Sequence, residues 1–230
     1  MNKMGQIIHK EHTKSIFDHF PPPVFLRMPA VGMDISDGSV KFVELINTTD
    51  GVRLGSCGKR ELFAGTMEKG KITDPEKLAE TLADIKKEHK FKYARVSLPE
   101  EHAYFFQTEV PGDASRDQLY NVLEFKLEEH VPLSSGEAVF DFELITCSSK
   151  PAGTRCVNAV VYPRQLIEMY NIAFEKAGLR VLSLETESHS MARSIIPKDD
   201  IETNYIVVDM GRFKANLAIV SKGIMVFSAA

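Results

Sequence analysis

No run of residues in this chain approaches the roughly 18 consecutive apolar side chains that a membrane-spanning helix needs. The N-terminus, MNKMGQIIHKEHTKSIFDHFPPP, also lacks the apolar core of a secretory signal. Both absences point to a cytoplasmic chain that is not membrane-inserted. Basic residues are not in excess: 28 Lys and Arg stand against 32 Asp and Glu, for a net charge of -4. With no block of like charge, the sequence has no footprint for DNA or RNA, and nucleic acid is not an expected partner. Cysteine is scarce as well. Cys57, Cys147 and Cys156 are odd in number and lack metal-ligand spacing, which predicts reduced thiols. Cys147 and Cys156 fall on neighbouring predicted strands, where a bridge is geometrically open.

What is present suits a packed protein. Hydrophobic residues make up 43% and charged residues 26% of 230 positions, enough for one large domain or two ordinary ones. Residues 6 to 20 carry Ile7, Ile8, Ile16, Phe17 and Phe20 at spacings of a short amphipathic helix, ended by Pro21-Pro22-Pro23. From Val31 the pattern becomes that of a three-stranded meander through MDI, VKFVELI and VRLGSCGKRELF. Asp74-Pro75 opens a helix with Leu78, Leu82 and Ile85 on one face, and ARVSLP follows as a strand. Sheet, helix, sheet is the grammar of an α/β core.

A second unit reads as strand, helix, strand, strand. It comprises AYFFQTEV, a helix from Ser115 to His130 with Ser115 as N-cap, then VFDFELITC and CVNAVVY, before a helix from Arg164 to Ala177 closed by Gly178. VLSLETE returns as a strand, SHSMARSI as a short helix, and NYIVVDMGRFKANLAIVSKGIMVFSAA begins another sheet.

Aligned on their acids, MDISDGSVKFVEL and VDMGRFKANLAIV share strand, Asp, turn and strand. One copy opens each half of the chain. Asp before Gly is by itself ordinary hairpin chemistry. Two matched copies are what a nucleotide cleft between paired α/β domains requires. Turn amides face phosphate oxygens, Asp34 and Asp209 hold a hydrated magnesium ion, and Lys41 reaches a terminal phosphate as a point charge.

Further stretches are GTMEKGKITDPEKLAETL, VSLP, SRDQLYNVLEFKLEEHVPL, AFEKAGLRVLSLETESHSMAR and IVVDMG. With VGMDISDGSVKFVEL, in that order and spacing over residues 31 to 221, they resemble the PilM family, actin-like proteins of type IV pilus assembly, and more distantly FtsA. The resemblance implies an α/β, actin-like (ribonuclease H-like) core with an inserted strand-helix-strand-strand subdomain. The implied division is an N-terminal arm (1–30), a core (31–99 and 179–205), the insertion (100–178) and the start of a second half (206–230). It implies ATP and Mg2+ as ligands. It further implies a groove between core and insertion for the N-terminal cytoplasmic peptide of the inner-membrane protein PilN, which would place the chain at the inner face of that membrane among other pilus assembly proteins.

Residue by residue, Asp34, Ser36, Ser39 and Lys41 match the first phosphate loop, and Asp209 and Gly211 the second. Arg212, Phe213 and Lys214 depart from the small and hydroxyl residues common in the second loop, which puts hydrolysis in doubt, although Arg212 or Lys214 would add positive charge. An actin-like protein also needs a subdomain pair beyond Asp209. The chain therefore reads as truncated, with an unpaired edge that favours self-association.

Other features carry less. Gly65 to Ile72 has the glycine and lysine spacing of a phosphate-binding loop, but Ile72 stands where a hydroxyl is needed and the helix starts only at Asp74-Pro75. His9, His12 and His19 suit a solvated helix face rather than a metal site. Glu185, Glu187 and His189 are read as supporting residues near the cleft, and Tyr104-Phe105-Phe106 as packing of the insertion, with an exposed member free to line the groove. A sugar or acetate kinase of the same superfold would need a legible catalytic base and substrate pocket. An FtsA-like protein would need a C-terminal membrane helix.

Overall fold

The computed structural model describes residues 28–48, 51–145, 153–197, 200, 202–211 and 214–230. Expectations for the N-terminal arm up to residue 27, its three histidines, Cys147, Arg212 and Phe213 lie outside them.

Strand β1 (Ala30–Ser36) alternates: Val31, Met33 and Ile35 are buried, while Gly32 and Asp34 face the other way. It turns through Asp37-Gly38 into β2 (Ser39–Thr48), which pairs with β3 (Gly51–Glu61), so the expected meander forms. A small hairpin of β4 (Met67–Glu68) and β5 (Lys71–Ile72) precedes helix α1 (Pro75–His89). The carboxylate of Asp74 caps α1 by accepting from the Lys77 amide at 3.1 Å, and Leu78, Leu82 and Ile85 are its buried stripe. β6 (Tyr93–Leu98) then runs parallel to β1.

The chain leaves this sheet to build another. β7 (Tyr104–Pro111), β8 (Ala138–Ile145) and β9 (Thr154–Pro163) pair in the order β7-β9-β8, covered by helix α2 (Arg116–His130) through Leu119, Leu123 and Leu127. Ser115 caps α2 as expected. Its hydroxyl accepts from the Gln118 amide, and the Gln118 side chain returns the bond to the Ser115 amide at 2.8 Å. Of the three aromatics expected to pack this unit, Phe106 enters its core. Phe105, one residue away on an alternating strand, packs instead against the third sheet.

Helix α3 (Arg164–Lys176) leads back to β10 (Arg180–Thr186), which completes a five-stranded sheet of order β10-β6-β1-β2-β3. Helices α1 and α3 cover one face of it, where Tyr170 and Phe174 are fully buried. Helix α4 (Glu187–Ile195) then carries the chain to β11 (Asn204–Met210), β12 (Ala215–Ser221) and β13 (Ile224–Ala229). Ala192 of α4 packs on Val207, Ala218, Val220 and Met225 of this third sheet.

The cysteine expectation is corrected in part. Cys57 is a free, exposed thiol, but Cys156 is disulfide-bonded. It sits opposite Ile145 at the loop end of the β8–β9 hairpin, where strand pairing holds two chain segments close.

Candidate functional site

Asp34 lies on the side of β1 away from the core, between two neighbours fixed by strand register: Lys41 of antiparallel β2 and Ser97 of parallel β6. Both bond it. The Lys41 ammonium is 3.2 Å from Asp34 Oδ2, and the Ser97 hydroxyl is 3.2 Å from Oδ1. At 59% and 38% side-chain exposure the Lys41–Asp34 pair adds little stability, yet both charges stay open to a ligand.

Ser36 and Ser39 sit at the turn itself. The Ser36 hydroxyl donates to the Ser39 carbonyl at 3.2 Å and lies 3.4 Å from the Ser39 hydroxyl, which is buried. Their hydroxyls close the turn. Asp37, between them, reaches away to accept from the Lys69 and Gly70 amides at 2.9 and 2.8 Å. Those amides belong to the β4–β5 turn, within the stretch that mimics a phosphate-binding loop. The chain's own carboxylate fills that anion nest, which agrees with setting the stretch aside.

The second hairpin repeats the first in register. Asp209 pairs with Asn216 as Asp34 pairs with Lys41, at the same offset along the chain. The connections have equal length: Ile35–Val40 and Ser36–Ser39 in the first hairpin correspond to Met210–Ala215 and the Gly211 and Lys214 positions in the second. Gly211 donates its amide to the Lys214 carbonyl at 2.9 Å, closing that connection.

Lys214, read from the sequence as a possible source of charge for phosphate, is held elsewhere. Its ammonium lies 2.8 Å from both Glu101 and Glu187. Glu187 also accepts from the Asn216 amide at 2.7 Å, so one carboxylate at the start of α4 binds two residues of the second hairpin. Burial pushes the Glu187 carboxyl above its ordinary range, and the charge of Asp34 pushes it further, against the bonds from Lys214 and Asn216. Glu187 thus ties the start of α4 to Asn216, the register partner of Asp209.

A neighbouring carboxylate completes the seam. Glu100 is buried, accepts from the Ser188 amide in the first turn of α4 at 3.1 Å, and bonds the Ser228 hydroxyl of β13. Glu185, grouped in the sequence with Glu187 and His189, pairs with Arg193 at 2.6 Å. Sequence reading missed Ser97, Asn216, Glu100 and Glu101 as participants. Only Ser97 left a trace, as the Ser of VSLP at the end of a strand.

A cavity of about 520 Å3 opens on the Asp34 face of the five-stranded sheet, lined by Asp34, Lys41, Arg95, Ser97, Glu185 and Arg193 over apolar Val43 and Leu45. Its polar groups carry one more cation than carboxylate, which suits an anionic or hydrogen-bonding ligand better than a cation.

A family profile described as type IV pilus assembly protein PilM matches residues 32–229. Among solved structures the chain is similar to a PilM-PilN type IV pilus biogenesis complex, with 17% identity and a TM-score of 0.76, over 88% of this chain and 61% of that one. It is also similar to the cytoplasmic domain of EpsL, an inner-membrane component of the type II secretion system of Vibrio cholerae. There the identity is 15% and the TM-score 0.55, over 86% of this chain and 70% of that one. The architecture is the actin-like α/β fold. The chain spans less than two thirds of the PilM chain it matches.

Proposed function

Because the chain belongs to the PilM family of type IV pilus assembly proteins, we propose that it acts as an actin-like scaffold that binds nucleotide at its paired hairpins and holds a peptide of PilN. The observation that carries the nucleotide reading is the matched register of Asp34 with Lys41 and Asp209 with Asn216, at the same offset in the two hairpins. Lys41 supplies the charge for a terminal phosphate. Ser36, Ser39 and Gly211 shape the two loops.

Among the described residues no three His, Cys, Asp or Glu side chains are grouped as a metal site. Asp34 and Asp209 would therefore meet Mg2+ through its water shell, the usual arrangement when phosphates supply the remaining oxygens. Magnesium would neutralise phosphate charge, while the chain's own residues position the nucleotide. Nothing in this role requires hydrolysis.

The expected result is thermal stabilisation by magnesium-ATP. At a ligand concentration about 100 times Kd it amounts to about 2.7 kcal/mol. Asp34→Ala and Asp209→Ala should each lose most of that shift, read by differential scanning fluorimetry. Equal shifts in all three proteins would rule out the clamp.

The partner reading rests on the family and on the similar complex, which contains PilN. The division into arm (1–30), core (31–99 and 179–205), insertion (100–178) and second half (206–230) puts the peptide groove between the first and second sheets. Tyr162 of β9 joins these sheets by donating to the Pro99 carbonyl at 3.2 Å. The protein would work at the inner face of the inner membrane through PilN and other assembly proteins. Among the described residues no helix is long and apolar enough to cross a membrane. Calorimetric titration with a synthetic PilN N-terminal peptide should give saturable heat at micromolar concentration. No heat at several hundred micromolar would end the peptide reading and leave the nucleotide reading standing.

A further inference from the structure

Lys214 ties the second hairpin to two elements that lie far from it along the chain. Its ammonium is 2.8 Å from Glu101, 113 residues earlier, and 2.8 Å from Glu187, 27 residues earlier. The backbone beneath it is fixed, because the Gly211 amide donates to the Lys214 carbonyl at 2.9 Å. Only the side chain, a point charge on a flexible stem, is left to swing. Lys41 of the first hairpin differs in this respect. It pairs with Asp34, its own register partner on the adjacent strand.

Both carboxylates can release the ammonium without being left buried and unpartnered. Lys214 and the Asn216 amide donate to the same oxygen of Glu187, Oε2, so that oxygen keeps a donor at 2.7 Å when the ammonium departs. Glu101 makes no other hydrogen bond or ion pair among the described residues, and its side chain is 31% exposed, so water takes the ammonium's place. Glu101 itself stays where it is. It is the middle residue of a short turn (Glu100–His102) whose other two members are anchored. Glu100 bonds the Ser188 amide and the Ser228 hydroxyl, and the His102 ring bonds the Lys69 carbonyl at 2.8 Å.

We propose that Lys214 is a latch on the nucleotide site, an inference that rests on nucleotide binding at the paired hairpins. While the site is free, its ammonium holds the second hairpin to Glu101 and Glu187. When the phosphates of a magnesium-nucleotide enter, the ammonium leaves Glu101 for a phosphate oxygen. Phosphate is the stronger claimant. A di- or triphosphate brings several negative charges and strong acceptor oxygens, whereas Glu101 offers a single charge that is partly open to water. The exchange couples nucleotide binding to release of a contact between the second hairpin and the turn that leads into β7. Part of the binding free energy is offset by that release, so affinity is lower than the site's own contacts would give.

The test is a double-mutant cycle in magnesium-ATP affinity, measured by calorimetry on the 230-residue chain with Glu101→Gln, Lys214→Met and both together. Removing a negative charge near phosphate tightens binding through space by the same factor whether or not Lys214 is there. Releasing a latch does so only where Lys214 remains. The expected result is that Glu101→Gln tightens magnesium-ATP about fivefold more in the chain with Lys214 than in the Lys214→Met chain, the value of one partly exposed ion pair. Equal effects in the two backgrounds, or a larger effect without Lys214, overturn the latch and leave the nucleotide site standing. No binding in any of the four proteins removes the nucleotide reading itself, and the latch with it. Thermal melting checks that each variant folds, and Lys214→Gln, which keeps a donor for Glu187, takes the place of Lys214→Met where that variant does not.

Discussion

Replacing Gly70 with alanine is expected to destabilise the protein by about 3 kcal/mol, whereas the same change at Gly65 should cost only about 1. The two glycines form a matched pair. Their φ values are +74° and +75°, so each alanine meets the same left-handed strain. Their surroundings differ: a Cβ at Gly65 meets nothing within 4 Å, but at Gly70 it lies 2.8 Å from Pro99 Cβ and 3.2 Å from Pro99 Cγ. A proline ring has no rotamer in which to retreat, so backbone must shift. At about 2–4 °C per kcal/mol for a chain of this size, thermal melting should show a drop of about 6–12 °C for Gly70→Ala and a third of that for Gly65→Ala. Equal drops at the two positions would show that the Pro99 contact is not felt. The Gly70 amide also holds Asp37, so the variant should loosen the turn next to Asp34 and weaken magnesium-ATP stabilisation beyond what lost stability explains.

Much of this fold was legible because its signals are local. The stripe of Leu78, Leu82 and Ile85, the Pro at the start of α1, the Ser115 cap and the alternation in β1 each depend on residues within a few positions of one another. The β4–β5 hairpin was not legible. Its two-residue strands carry no period, and its turn is set by Lys69 and Gly70 at positive φ under Asp37, a residue more than thirty positions earlier. Phe105 was assigned to the wrong core for a related reason. Alternation says that it faces away from Phe106, but only tertiary placement says that α4 waits on that side.

The site was legible as a pair of acids and little more. The repeat located Asp34 and Asp209 because the two hairpins share an offset. The bonds that hold the second hairpin run through Glu187, Asn216, Lys214 and Glu101, drawn from a helix start, a strand, a loop and a short turn that no spacing rule connects. Lys214 shows the limit most clearly. By sequence it is a cation in a phosphate loop, and in the fold two carboxylates claim it.

That claim leads to the second large effect. Lys214→Met keeps the apolar stem but removes the charge, leaving Glu187 with 11% side-chain exposure and no cation. Breaking a fully buried pair costs about 3–5 kcal/mol. Lys214 and Glu101 are each about a third exposed, so about 2 kcal/mol is expected near pH 8. The pH dependence carries the diagnosis. Because burial already raises the folded-state Glu187 carboxyl above 4.5, the folded protein binds that proton more tightly than the unfolded chain. Ionised Glu187 therefore costs stability above its folded pKa, and the cost disappears as pH falls through that value toward 4.5, opposite to a carboxylate whose pKa is depressed. Removing Lys214 takes away a group that lowers it, so recovery on acidification should begin at higher pH and be larger in the variant. Urea unfolding at several pH values between about 5 and 8 measures this directly. The double variant Glu187→Gln with Lys214→Met should show no such recovery, since the carboxylate that Lys214 neutralised is gone. A Lys214→Met deficit of constant size across that range would mean that the lost contribution is packing rather than charge, and that the contact of the second hairpin with the start of α4 is not electrostatic.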